Sequence, residues 1–228
     1  MLTERRLAEE LMDDPALDAA TYHAVLGDLA KVNTVTLARP PTLAFLRRAV
    51  GSRNAIRVLD VGFGDGDMLR AIADWARRRG LAAELFGVDL NHRSVAAAEA
   101  VTPPGTPIRY LAGDYATLAG LEWDCVISSL VAHHMTEPEL LAFLRFMEAE
   151  SHLGWFVSDL HRHGCAYASW PVLATLAGWH RIVRLDGHTS IARSFRPGEW
   201  DVLLRHAQIG QARVFRQFPF RLCVERLK

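Results

Sequence analysis

The sequence predicts an α/β fold, a doubly wound and mostly parallel sheet wrapped by helices, from three observations. Short apolar, β-branched runs ("IRVLDV", "AELFGVDL", "IRYLAGD", "WDCVISSL" and "GWFVSDL") alternate with helical segments. Between the first two runs lies "GDMLRAIADWARRRG", whose Met68, Leu69, Ile72 and Trp75 share one helical face and whose Gly80 suits the stop, so a complete strand-helix-strand unit is placed. Near the C-terminus, "ARVFRQF" and "RLCVERL" are separated only by Pro219 and its neighbours, a link too short for anything but an antiparallel pair.

The remaining elements follow in order. Tyr22, Val25, Leu26, Leu29 and Val32 keep helical spacing; Leu43, Leu46 and Val50 repeat it after the Pro40-Pro41 break. Residues 1–50 are therefore expected to form an N-terminal helical cap segment ahead of a doubly wound α/β domain over 51–228. "PGEWDVLLRHA" is a helix, whereas residues 161–196 exceed the regular alternation and form an inserted cap. Its Trp170, Val172, Leu173, Leu176 and Trp179 give an apolar face that can close over an aromatic or acyl-bearing molecule, or serve as a homodimer surface.

Composition excludes several classes. Lys plus Arg equals Asp plus Glu at 26 each, so no bulk positive field draws nucleic acid. The charged start "MLTERRLAEELMDD" is no signal peptide and no apolar stretch approaches the roughly 18 residues of a membrane span, so a cytoplasmic protein is expected. Cys125, Cys165 and Cys223 lack a CxxC pair, against a disulfide framework or a zinc ribbon.

The loop "LDVGFGDGD" puts Gly62, Gly64 and Gly66 directly after a strand and before a helix, where a ligand approaching the backbone needs missing side chains. A dinucleotide fingerprint would need glycine where Asp67 stands, and Asp60 and Asp65 add negative charge. The ligand should be nucleotide-like but carry positive charge. The second strand ends in Asp89, an acid able to accept hydrogen bonds from a ribose diol, and the third ends at Asp114.

This ordered set resembles the class I S-adenosylmethionine-dependent methyltransferases over roughly residues 55 to 160. The resemblance implies a seven-stranded sheet with the last strand antiparallel, and S-adenosylmethionine as cofactor, leaving as S-adenosylhomocysteine (SAH). It assigns Asp60, Gly62, Gly64 and Gly66 to the methionine part, Asp89 to the ribose, and Asp114 with Tyr115 to the adenine; Leu90, beside Asp89, and Ser129, closing the fourth strand, join the cofactor set.

In "SSLVAHHMTEPEL", Thr136 and Glu139 make a capping box, leaving His133 and His134 between a strand end and a helix start. The fourth and fifth strands are neighbours in the resembling fold, so Asp159, the last acid of the fifth, faces the pair. A carboxylate that fixes an imidazole tautomer suits a base that helps remove a hydroxyl proton. The pattern looks like small-molecule O-methyltransferases with a His-His dipeptide after the fourth strand, His133 being the first choice of base and His134 the second.

In "SDLHRHGC", His161, His163 and Cys165 alternate as zinc ligands can, but methyl transfer to a hydroxyl needs no zinc, so no metal is expected. Instead His161, Arg162 and Trp170 are expected to line the substrate mouth. "DLHRH" and the later "DGHTSIARSFRPGEW" resemble a bacterial subgroup of secondary metabolism acting on quinone-like and polyketide-derived phenols. The expected partner is a small molecule, with no nucleic acid and no membrane span. Two alternatives stand beside this: a nucleic-acid methyltransferase, disfavoured because "SSLV" replaces [DN]-P-P-[YF], and a catalytically silent S-adenosylmethionine-binding partner protein. A nicotinamide dehydrogenase is disfavoured by Asp67 and the clustered acids.

Overall fold

A computed structural model describes residues 2–228. The strands are β1 (Ala55–Val61), β2 (Ala82–Asp89), β3 (Ile108–Ala112), β4 (Trp123–Ser129), β5 (Ser151–Leu160), β6 (Arg213–Gln217) and β7 (Arg221–Leu227). They make one sheet in the order β3-β2-β1-β4-β5-β7-β6, in which β7 alone runs antiparallel to its neighbours. The strand order reverses direction between β1 and β4, the place where such sheets open a crevice at the carboxyl ends of their strands.

Eight α-helices accompany the sheet among the described residues: α1 (Ala19–Val35), α2 (Arg39–Val50), α3 (Asp67–Arg79), α4 (Arg93–Val101), α5 (Glu137–Glu150), α6 (Gly164–Leu176), α7 (Arg181–Arg193) and α8 (Pro197–His206). Because successive side chains of a strand point to opposite faces, β1 gives Val58 to one apolar layer and Leu59 to the other. The first layer takes α2 and α3 through Phe45, Leu46, Leu69 and Ile72; the second takes α5 and α8 through Phe143, Leu144, Trp200 and Leu203. Each fully buried Leu or Phe contributes about 1.5–3 kcal/mol, enough in sum to fix the register of a sheet buried on both sides.

The expected capping box is present: Glu139 accepts from the Thr136 N–H at 2.8 Å and its hydroxyl at 2.7 Å. Gly80 adopts φ 64° and its N–H meets the carbonyls of Ala76 and Arg77, closing α3.

The N-terminal fifty residues divide differently from the expectation. Phe45 stacks on Phe156 of β5 at 5.2 Å, so α2 belongs to the sheet's own core. Of the two helices, α1 joins the inserted helices, its Val25 and Val32 packing with Trp170 and Ala174 of α6 and Val183 and Ile191 of α7 in a separate apolar cluster. Ahead of α1 the chain is irregular, with one 3₁₀ turn at Leu11–Asp13, and crosses the carboxyl end of the sheet.

Candidate active site

Gly62, Gly64 and Gly66 all have positive φ, at 77°, 59° and 77°, as required to turn β1 into α3. A Cβ on Gly62 would come 2.2 Å from Val131 Cγ2 and one on Gly66 2.4 Å from the Tyr110 hydroxyl, whereas one on Gly64 would meet only Leu26, at 3.7 Å. Two of the glycines thus serve packing and the middle one leaves open space. The Val131 contact also ties this loop to the connection after β4.

That connection is shaped by Leu130, a non-glycine residue at φ 62° whose N–H reaches the Ser158 carbonyl at 2.9 Å. The turn it creates lays Val131 over Gly62 and starts the 3₁₀ turn Ala132–His134, which brings both histidines to the crevice.

Asp159, at the end of β5, is fully buried and accepts twice from His133: the backbone N–H at 2.8 Å and ring Nδ1 at 2.7 Å. The far nitrogen, Nε2, lies 3.7 Å from Glu10, as does Nε2 of His134, whose Nδ1 stands 3.3 Å from Asp13. Burial disfavours the imidazolium of His133, but Asp159 and Glu10 outweigh it and raise its pKa from 6.5 to about 9. Burial would likewise raise Asp159 and Glu10, yet the histidines hold both carboxylates below their usual range.

One cavity of about 590 Å³ spans the glycine loop, the ends of β2 and β4, both histidines and the helices α1, α6 and α7. Of the residues expected at the cofactor, Asp60, Gly62, Gly64, Asp89, Leu90, Tyr115 and Ser129 line it. Gly66 shapes the loop from behind, against Tyr110. Asp114 does not line the cavity: its carboxylate turns back to the Ala116 N–H at 2.9 Å and caps the short turn Tyr115–Leu118. At the acceptor end, His161 and Trp170 line the wall.

Arg162 departs from its expected role at the substrate mouth. Its guanidinium is fully buried and donates to the carbonyls of Leu2, Thr3 and Ser194 and to Glu199, pinning the N-terminus to α8. Alternation along an extended strand explains this: His161 faces the cavity, so Arg162 faces the other side.

The residues suit S-adenosylmethionine. Asp60 is buried with one carboxylate oxygen lacking any partner, and burial together with Asp67 and Asp89 pushes its pKa well up, so a cationic ligand would relieve the site. Asp89 accepts from Gly64 N–H at 3.0 Å and Asn91 N–H at 2.9 Å, which aims its carboxylate at the same space. The Ser129 hydroxyl is another buried group without a partner.

Residues 58–149 match the family model described as "Methyltransferase domain". Residues 58–149 carry a methyltransferase domain. S-adenosylmethionine is the methyl donor of this methyltransferase, in agreement with the site just described. Similar solved structures cover nearly the whole chain. The plantazolicin methyltransferase BpumL in complex with SAH aligns with a TM-score of 0.68 at 13% identity, over 95% of this chain and 91% of that one. A SAM dependent methyltransferase from Aquifex aeolicus aligns at 0.62 and 17% identity, over 92% and 97%. Magnesium protoporphyrin IX methyltransferase from Synechocystis PCC 6803 with bound SAH aligns at 0.56 and 18%, over 94% and 90%. No sequence among the curated proteins matches the methyltransferase. None of its helices is long and apolar enough to cross a membrane, among the described residues.

Sequence reasoning missed Glu10 and Asp13, which face the histidines, and Asp186 and Ser190 of α7, which hold the segment that carries them. Glu10 sits in the acid-rich run "LAEELMDD", where no motif or spacing separates it from its neighbours. Among the described residues, Glu10, His133 and His134 are also the one trio whose ligand atoms, all within 4.8 Å of each other, could hold a metal. Arg193 already stands 3.8 Å from Glu10, so a dication there would be repelled by a fixed positive charge. His161, His163 and Cys165 form no such group; His163 instead accepts the Cys165 N–H at 3.2 Å to cap α6.

Proposed function

We propose that the methyltransferase methylates a small-molecule acceptor, a phenolic, quinone-like or polyketide-derived hydroxyl, with His133 as the group that takes the hydroxyl proton. The observation that carries this reading is the His133–Asp159 pair, 2.7 Å apart and buried in the wall of the cavity that the glycine loop also lines.

When bound, S-adenosylmethionine supplies an activated methyl group on a sulfonium, so the protein must align an oxygen nucleophile and manage its proton. Asp159 fixes His133 by two hydrogen bonds and keeps Nδ1 protonated, leaving Nε2 as the nitrogen that exchanges a proton with the acceptor. Because His133 titrates near 9, it accepts a proton only from its neutral fraction, which grows toward alkaline pH, where a phenol of pKa about 10 is a matched donor. His134, half-buried beside it, is the second candidate. Leu29, Leu160, Trp170, Val183 and Ile191 make the acceptor end apolar, which favours an aromatic body over a sugar or nucleotide. Two similar structures are methyltransferases named for plantazolicin and for magnesium protoporphyrin IX, which supports a small-molecule acceptor.

The test is transfer of radiolabelled methyl from S-adenosylmethionine to a panel of phenols, hydroxyquinones and, as controls, amines and RNA. Labelled phenolic ether is the expected product; label only in amine or RNA contradicts the reading.

A further inference from the structure

Both histidines of the pair are backed by one carboxylate and meet a second, shared one in front. Asp159 holds Nδ1 of His133 and Asp13 faces Nδ1 of His134, while the two oxygens of Glu10 each stand 3.7 Å from one Nε2. Glu10 is only 5% exposed, far less than an acid at an irregular terminus needs to be, and it has further partners. Ser190 of α7 donates its hydroxyl to Oε1 at 2.8 Å and Arg193 stands 3.8 Å from the same oxygen.

The segment carrying Glu10 is anchored on both sides of it. Upstream, Arg5 donates to the carbonyls of His133 at 3.0 Å and Met135 at 3.2 Å, and its guanidinium lies 3.8 Å over the Phe195 ring. Downstream, the N–H groups of Leu11 and Met12 each donate to Asp186 of α7 at 2.9 Å. The segment therefore bridges the histidine turn and the inserted helices, and Glu10 is its contribution to the cavity wall.

We propose that Glu10 is a positioning residue for proton transfer: it faces Nε2 of both histidines in the cavity wall, so the pH at which the base becomes available is set by the seating of the N-terminal segment. The inference rests on the methyl-transfer reading above. Glu10 faces each Nε2 at 3.7 Å without itself taking the acceptor's proton, and it acts through the orientation and charge of the histidines. The charged groups facing His133 are Asp159 from β5, Glu10 and Arg5 from the N-terminal segment, and His134 from its own turn; Arg193 of α7 faces it across Glu10. Removing the Glu10 charge leaves one anion where there were two.

The test is NMR titration of the histidine ring signals in the full chain with SAH bound, His133→Gln providing the assignment. Glu10→Gln should lower the His133 midpoint by about one unit or more, the shift an opposite charge at this distance produces. Glu10→Asp, which keeps the charge, should move it less. Asp186→Asn, which loosens the segment without touching either histidine, should move it in the same direction as Glu10→Gln. With a simple phenol as the probe, the pH of half-maximal kcat/KM should follow. An unchanged midpoint in Glu10→Gln and Asp186→Asn proteins that still bind SAH would overturn the proposal. So would stoichiometric Zn²⁺ binding that broadens both ring signals and is lost in Glu10→Gln, since Glu10 would then be a metal ligand. The titration needs no acceptor, so a mistaken acceptor class shows itself in the transfer assay alone.

Discussion

The carboxylate of Asp159 takes two hydrogen bonds from a single residue, His133, at 2.8 Å from its backbone N–H and 2.7 Å from its ring. One side chain thereby fixes where the turn after β4 lies and how its imidazole points. Asp159→Asn would offer Nδ1 the wrong partner and leave His133 buried beside a neutral amide. Turnover should fall about 10²- to 10⁴-fold, the span of general-base assistance, while SAH affinity stays nearly constant. The same change breaks a buried ion pair and should cost about 3–5 kcal/mol in urea unfolding.

The glycine loop separates binding from stability. Gly64→Ala places a Cβ in open space at φ 59°, with Leu26 at 3.7 Å as its contact, so the chain should lose only about 1–2 kcal/mol. SAH affinity, read by calorimetric titration, should fall at least about tenfold as the methyl group fills the ligand's approach. Gly66→Ala must displace the Tyr110 hydroxyl as well as adopt φ 77°, so unfolding free energy should drop by more than in Gly64→Ala.

Stability should respond to pH with opposite signs at two histidines. His133 rises from 6.5 to about 9 in the folded protein, so its contribution is fully present below pH 6.5 and lost as pH climbs through 9. His161 is pushed down to about 4, first by burial and then by Arg216 and its other cationic neighbours. Its contribution is present above pH 6.5 and lost as pH falls through 4. Urea unfolding across this range should flatten on the alkaline side in His133→Gln and on the acid side in His161→Gln.

Much of this architecture is legible in the sequence because local signals agree with global ones. The five strand runs fall within a few residues of their strands, since a sheet buried on both faces leaves continuous apolar runs. The glycines are readable because turning β1 into α3 restricts residue type, and Asp60 and Asp89 because they stand at strand ends beside that turn. Arg162 turns away from the cavity by the same alternation that sets His161 and His163 on one side, a consequence the composition of "DLHRH" obscures because either residue type could face a substrate. For Asp114 the sequence does not show that its carboxylate caps the turn Tyr115–Leu118, because an Asx turn leaves no periodic signal. Glu10 reaches the histidines, and Asp186 the segment that carries it, only through the path of the N-terminal chain, which no periodicity encodes.

The most direct test compares methyl transfer from S-adenosylmethionine to phenolic acceptors by the wild-type chain and by His133→Ala across pH 6 to 10, with SAH affinity measured on both. The account predicts a wild-type kcat/KM that rises with pH through about 9, and a His133→Ala protein that binds SAH normally but turns over at least about a hundredfold more slowly without that pH limb. Equal turnover in the two proteins, with the same pH profile, would contradict it and remove His133 as the base.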